Sequence, residues 1–291
     1  MVSVSDSKVL ITGSDGFIGS FLFNRLQELG AEVKGVDLKS GFDITDWSHI
    51  EQLEKVDVVY HLAAIMGIPF AIENPRIVYN VNIGGTLNIL EYCRLNDISK
   101  LIFATSYVYG EPEYLPVDEN HPINPTNPYT RSKIIGEELC RGYCEDHDIS
   151  CVILRPFNIY GPGQNEEFLI PTIFHQLRTE NKIVLKDPEP RRDLIYVTDM
   201  IDAYLRSLEF QDSKFEIFNI GCGESHSVSE IVNEVLQVSG KEVEVEYVND
   251  RRPNEIMDTV ANIDKAKHKL NWSPKIDLRT GLKLIWDSID H

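Results

Sequence analysis

Through the first half of the chain, short apolar runs alternate with longer stretches of helical period. Lys8-Val-Leu-Ile-Thr12 reads as a buried strand, and Phe17 to Leu29 as a helix ended by Gly30. Glu32 to Asp37 is the second strand and Val56 to His61 the third. A long helix covers about Ile77 to Leu95, followed by a strand at Lys100 to Thr105. Pro125-Thr-Asn-Pro128 opens another helix, with Asn127 as N-cap and Pro128 at the first helical position. Cys151 to Arg155 closes the series. Strands this apolar, each followed by a helix, predict an α/β fold built on a doubly wound parallel sheet of Rossmann type.

The second half is less regular. Lys182 to Lys186, Leu194 to Val197 and Phe215 to Ile220 read as short strands, and Glu242 to Val248 alternates with period two. Ser227-Val-Ser-Glu230 is a capping box opening a helix that stops near Gly240, and Leu278 to Ile289 is amphipathic. No repeat, low-complexity tract or linker separates the halves.

Composition narrows the partners. With 28 Lys+Arg against 46 Asp+Glu the net charge is −18, which repels nucleic acid and anionic membrane surfaces. An anionic ligand then needs locally clustered Arg or Lys. Cys93, Cys140, Cys144, Cys151 and Cys222 include no C-x-x-C pair. Cys140 and Cys144 stand at i,i+4 with no further Cys or His at ligand spacing, so they read as buried thiols and no metal is expected. Reduced thiols fit a cytoplasmic location. Met1 to Lys8 lacks an apolar core, and the apolar stretch Val56 to Ile72 is broken by Asp57, His61 and Pro69, so no membrane span is expected.

Thr12-Gly-Ser-Asp-Gly-Phe-Ile-Gly19 follows a strand and opens a helix. Gly13, Gly16 and Gly19 are spaced one residue wider in the first gap than the common G-x-G-x-x-G. The physics carries over: a tight turn lets a pyrophosphate approach the backbone and meet the unpaired N–H groups where the helix starts, at Phe17 and Ile18. Asp37 ends the second strand, 18 residues after Gly19. Its carboxylate accepts from both ribose hydroxyls and repels a 2′-phosphate, so the expected cofactor is NAD. Asp43 to Asp46 reads either as part of an adenine pocket or as a solvated loop.

Tyr129-Thr-Arg-Ser-Lys133 places a phenol and an ammonium one turn apart on one helix face. A tyrosine acting as general base needs its pKa moved from about 10 toward 7, roughly 4 kcal/mol of differential stabilisation. A neighbouring ammonium and the positive nicotinamide ring have the right sign to supply it. Thr105, at the carboxyl end of its strand, lies where open α/β sheets bind ligands and is the candidate for holding a substrate hydroxyl. Alone, a Tyr/Lys pair at this spacing also describes a solvated helix face; beside a dinucleotide fingerprint it points to catalysis.

Taken in order, these motifs and several others resemble the NAD-dependent sugar epimerase/dehydratase family, an extended type of short-chain dehydrogenase/reductase. The series is Thr12 to Gly19, His61-Leu-Ala-Ala64, Asn82-x-x-Gly-Thr86, Thr105-Ser-Tyr-Val-Tyr-Gly110, Tyr129-x-x-x-Lys133 and Arg155-Pro-Phe-Asn-Ile-Tyr-Gly-Pro162. It continues through Arg192-Asp-Leu-Ile-Tyr-Val197, Asn219-Ile-Gly-Cys-Gly223, Arg252-Pro253 and Ala266 to Pro274. The resemblance implies Thr105, Tyr129 and Lys133 as catalytic residues. It implies a cofactor site that also takes in Asp43, Ile44, Leu62, Ala63, Ala64, Asn82 and Pro156. Thr105, Ser106, Tyr107, Asn158, Arg192 and Arg252 would touch a nucleotide-diphosphate sugar, the two arginines near its diphosphate. The doublets Arg191-Arg192 and Arg251-Arg252 are the basic spots the acidic composition asks for. A division follows, with residues 1–157 plus about 190–222 binding the dinucleotide and about 158–189 plus 223–291 the sugar nucleotide.

Two departures shape the functional reading. Family members that eliminate water or decarboxylate carry Glu two residues after the catalytic Thr, where this chain has Tyr107. Gly163 to Leu169 is also a short substrate loop in a compact chain. The resemblance therefore implies an epimerase acting at C4 through a keto intermediate, with Tyr129 taking the hydroxyl proton and NAD the hydride. A 4-ketoreductase or 4-dehydrogenase would use the same residues. A non-catalytic dinucleotide-sensing module would be expected to lose Tyr129 or Lys133, and both are present. The family also implies a homodimer formed by the helices around Ile77 to Leu95 and Pro128 to Asp148.

Overall fold

In Lys8–Thr12 (β1) the last four residues have no exposed surface, as a strand covered on both faces requires. The computed structural model describes residues 4–180, 182–251 and 255–289. After β1 come α1 (Phe17–Glu28), β2 (Glu32–Val36), α2 (Trp47–Ile50), β3 (Val58–His61), α3 (Ile68–Glu73) and α4 (Pro75–Tyr79). A π-helical turn (Asn80–Gly85) leads into α5 (Thr86–Leu95), then β4 (Lys100–Ala104), α6 (Pro128–Asp146) and β5 (Ser150–Pro156). The chain continues through β6 (Asn158–Tyr160), α7 (Leu169–Thr179), β7 (Lys182–Leu185), β8 (Arg191–Arg192), β9 (Leu194–Tyr196), α8 (Val197–Glu209) and β10 (Phe215–Ile220). It ends with β11 (His226–Ser227), α9 (Val228–Ser239), β12 (Glu244–Tyr247), α10 (Asp264–Lys269) and α11 (Leu278–Ile289).

Six strands form one parallel sheet in the order β10-β5-β4-β3-β1-β2. The direction of winding reverses beside β1, so the loops leaving β1 and β3 diverge and open a crevice at the carboxyl edge. Thr12 pairs with His61, His61 with Phe103, and Ala104 with Leu154, which brings the ends carrying the candidate residues level. One face packs Leu90, Cys93, Phe103, Cys140 and Cys151 under α5 and α6. The other packs Leu22, Leu26, Tyr60, Met200 and Tyr204 under α1 and α8. A third core joins α7, α9 and α11 through Ile173, Ile231, Val235 and Leu282. The stretch from Ala261 to Trp272 packs into the α1/α8 core rather than the third.

Local signals act where expected. Asn127 caps α6 by accepting from Thr130 N, with Pro128 at its first position, and Ser227 and Glu230 close a reciprocal capping box on α9. One element needs correction. The single helix expected from Ile77 to Leu95 starts at Pro75 and is widened into a π turn at Asn80–Gly85. A Cβ on Gly85 would collide with the Ile44 side chain, so the helix approaches the loop after β2 closely there, and Asn82, within the widened turn, is buried. Among the described residues no helix is long and apolar enough to cross a membrane.

Candidate active site

The turn after β1 is built to bring backbone close to a ligand. Gly13 has φ +76°, and a Cβ on it would lie 2.8 Å from Ala63 N. A Cβ on Gly19 would sit far inside contact with the Gly13 carbonyl oxygen. Gly16 is the N-cap of α1 and no side chain caps that helix, leaving its first N–H groups for an anion. Phe17 and Ile18 turn their side chains into the protein, Phe17 against Phe21 and Gly161, so they offer a ligand backbone only. We expect Gly19→Ala to abolish retention of dinucleotide by the purified protein, read as nucleotide released on denaturation; retention at the parental level would rule out this cradle.

Asp37 sits at the end of β2, half-buried. One carboxylate oxygen accepts from Lys39 N (2.9 Å) and the other from Asp15 N (3.2 Å). Those bonds hold the carboxylate beside the glycine turn and leave lone pairs free for hydroxyls. Asp43 spends one oxygen on Thr45 N and Oγ1, both at 2.8 Å, and Ile44 is buried against Gly85. Leu62 and Ala63 continue from β3, their amides bonded to Thr12 O (3.1 Å) and Oγ1 (3.2 Å), and Ala64 follows. Asn82 is buried; its Oδ1 accepts from Ile65 N (2.8 Å) and its Nδ2 donates to Ile65 O (3.0 Å). Pro156 ends β5 opposite Ile220. The cradle, the carboxylate at the end of β2 and the walls from β3 and β5 fit a dinucleotide lying along the carboxyl edge.

Thr105 and Ser106 follow β4, and their hydroxyl oxygens are buried with no hydrogen-bond partner among the described residues. Polar atoms left unpaired in this way mark a place for a ligand's own donors and acceptors. Tyr129, partly exposed in the first turn of α6, lies beside Ser106. Burial pushes its phenol up to about 12, and the nearby Ser106 hydroxyl pulls the other way. Lys133 is held below: its Nζ donates to Ala104 O (2.8 Å) and lies 4.9 Å from the Phe103 ring centroid. Burial lowers it to about 8, against the pull of Cys140 and Glu137. From the sequence, the Lys133 ammonium and a positive nicotinamide ring together are expected to activate the phenol; without the ring, burial holds the phenol high.

The sugar-side candidates are placed less uniformly. Tyr107 donates its hydroxyl to Gly110 O (2.7 Å) and packs its ring on Tyr109 and Phe157. Asn158 donates to Asp193 O (3.0 Å). Each described arginine of the basic doublets already has a carboxylate. Arg192 pairs with Glu255 and donates to Arg191 O and Ile256 O (both 2.8 Å), Arg191 meets Glu230, and Arg251 bridges Asp187 and Glu189. Arg252 lies outside the described residues. Sequence reasoning gave no role to three buried ionisable residues beneath the site. Arg155 and Glu137 form a bidentate pair (2.9 and 2.5 Å) joining β5 to α6, and Arg155 also donates to Tyr109 Oη (2.9 Å). Asp193 accepts from Cys222 N (2.6 Å), Gly223 N (2.9 Å) and Ala261 N (3.0 Å). A charged residue closing an otherwise apolar strand pattern, as Arg155 does, was the available signal.

Comparison with known proteins agrees with this geometry. Residues 9–221 match the model of the NAD dependent epimerase/dehydratase family. A putative UDP-glucose 4-epimerase of Methanocaldococcus jannaschii is 38% identical over 95% of this chain and 96% of its own length. The UDP-glucose 4-epimerase of Thermotoga maritima, solved with UDP-glucose, superposes with a TM-score of 0.90 at 29% identity, covering 97% of this chain and 98% of that one. A UDP-N-acetylglucosamine 4-epimerase from Methanobrevibacter ruminantium gives a TM-score of 0.90 at 28% identity, over 98% of this chain and all of the other. The sheet order, the glycine cradle and the end-to-end match lead to one assignment: this chain belongs to the NAD-dependent epimerase/dehydratase family.

Proposed function

We propose that the protein interconverts the C4 epimers of a nucleotide-diphosphate sugar through a transient 4-keto sugar. The observation that carries this reading is the pair of buried hydroxyls of Thr105 and Ser106, unpartnered among the described residues, with Ser106 beside the Tyr129 phenol, at the edge where the glycine cradle lies. Bound NAD supplies the hydride acceptor for C4 and a positive ring that favours phenolate. Gly13, Gly16, Phe17, Ile18 and Gly19 receive its pyrophosphate, Asp37 its adenosine ribose, and Asp43 with Ile44 its adenine. Leu62, Ala63, Ala64, Asn82 and Pro156 flank the nicotinamide end.

Thr105 holds the sugar hydroxyl with its free oxygen, and Tyr129 removes the hydroxyl proton and returns it. Lys133 keeps a positive end near the phenol and the ribose. Tyr107 has no acid to offer and its hydroxyl is committed to Gly110 O, which favours epimerisation over elimination of water. Asn158, Ser106, Arg192 and Arg252 bind the sugar nucleotide. Relatives named for UDP-glucose support a UDP-hexose as substrate. The reading includes a division of labour between residues 1–157 plus about 190–222 and the rest of the chain, with 261–272 packed into the first core. It also includes a cytoplasmic homodimer through α4, α5 and α6, which expose Ile77, Leu87, Leu95 and Ile135.

The test is turnover without added cofactor. Purified protein given UDP-glucose or UDP-galactose is expected to convert each into the other with no net NADH. Accumulation of NADH with sugar consumption would overturn the epimerase in favour of a dehydrogenase.

A further inference from the structure

A buried hydrogen-bond chain of five side chains runs from the end of β1 to the backbone of Tyr129, and the reaction proposed above gives no role to three of them, His61, Thr86 and Ser132. Ala63 N–H donates to Thr12 Oγ1 (3.2 Å), and Thr12 Oγ1 is 2.7 Å from His61 Nδ1. His61 Nε2 is 2.9 Å from Thr86 Oγ1, which donates to Asn82 O (2.6 Å). Asn82 Nδ2 donates to Ser132 Oγ (2.9 Å), and Ser132 donates to Tyr129 O (2.7 Å). Thr12, His61, Asn82, Thr86 and Ser132 are each at most 2% exposed.

The direction of every bond follows from the partners. Thr86 has one hydroxyl hydrogen and gives it to a carbonyl, so His61 Nε2 must carry a proton and donate. Burial, with Lys133 adding to it, lowers His61 to about 3, so the ring is neutral and Nδ1 is the acceptor for Thr12. No hydrogen is left over and no site is doubly claimed. The chain ends on the Tyr129 carbonyl rather than its phenol, so it carries no proton to the reaction. What it transmits is position. It ties three pieces together: the glycine turn after Thr12, the Ala63–Ile65 segment, and the first turn of α6.

We propose that His61, Thr86 and Ser132 are positioning residues that fix the Tyr129 backbone, and with it the phenol, relative to the dinucleotide turn. The proposal rests on the catalytic reading of Tyr129. The π turn at Asn80–Gly85 is part of the same device, because it lets Asn82 face Ile65 and Ser132 while Thr86, one turn on, faces His61.

Thr86→Val keeps the side chain's size and removes both of its bonds; Thr86→Ser keeps the hydroxyl; Ser132→Ala cuts the last link alone. A misplacement of about 1 Å costs on the order of 100-fold in rate, so a smaller shift is expected to lower kcat about tenfold. We expect that loss in Thr86→Val and Ser132→Ala, with KM for the sugar nucleotide and NAD content kept, and recovery of most of it in Thr86→Ser. Phenolate absorbance, referenced to Tyr129→Phe, gives a readout independent of turnover: the Tyr129 titration is expected to move in Thr86→Val and Ser132→Ala. Should the parent turn over no nucleotide-sugar, the functional reading fails and the titration still decides this one. If Thr86→Val does not fold, Ser132→Ala decides. Parental kcat in a folded variant, an unmoved titration, or Thr86→Ser no better than Thr86→Val overturns the proposal.

Discussion

Replacing Tyr129 with Phe lowers kcat for sugar interconversion by about 100- to 10,000-fold, the span that general acid–base groups supply. The parent protein provides the reference, and turnover is followed by separating the two epimers. The effect is chemical rather than structural. The neighbour that acts on the phenol is the Ser106 hydroxyl, and no hydrogen bond from the phenol ties it to another element among the described residues. Stability should therefore change by no more than about 0.5 kcal/mol in urea unfolding. The base acts as phenolate, and burial alone holds the phenol near 12, so kcat should rise with pH until the bound-state value is passed. A variant that keeps parental turnover would remove Tyr129 from the reaction altogether.

The largest loss of stability is expected from Glu137→Ala. Glu137 and Arg155 are 2% and 1% exposed, and the guanidinium spends Nε and Nη2 on the carboxylate. Removing the carboxylate leaves a buried cation with Tyr109 Oη as its remaining hydrogen-bond partner, a situation that costs about 3–5 kcal/mol. Because α6 carries Tyr129 and β5 leads to Asn158, activity should fall with folding, before any direct effect on chemistry. Denaturant unfolding of the variant checks the magnitude; a loss below about 1 kcal/mol would mean that water reaches Arg155. Replacing both partners with apolar residues of similar volume should recover much of the loss, since no charge is then left unpaired.

Most of what the chain declares about itself is local. The caps at Asn127 and Ser227 satisfy backbone groups within three residues, and the glycines after β1 report a turn that only glycine tolerates. The parallel sheet follows from the apolar runs of its inner strands β1, β3, β4 and β5. The π turn was not legible, and neither was the close approach of Gly85, at its end, to Ile44, 41 residues earlier in the sequence. The Arg155–Glu137 pair spans 18 residues and joins two elements whose own patterns give no sign of each other. The basic doublets were visible as charges, yet their carboxylate partners, such as Glu255 for Arg192, 63 residues on, emerge only once the chain is folded. Thr105 was legible as a candidate because ligands of such sheets bind where the strands end, and Tyr129 and Lys133 because they stand one turn apart on a helix beside a dinucleotide fingerprint; their joint role remains a proposal.

Asp193 secures amides of Cys222 and Ala261 with the same carboxylate, and in doing so closes loops of 29 and 68 residues. The entropy of closing a loop grows slowly, about 0.6 kcal/mol for each doubling of length, and these two differ by little more than one doubling. The stretches between the anchors are therefore free to lengthen or shorten at small thermodynamic cost, whereas the anchor itself is not replaceable by a group with fewer lone pairs. Size variation belongs in the spans, and constancy at the carboxylate that ties them.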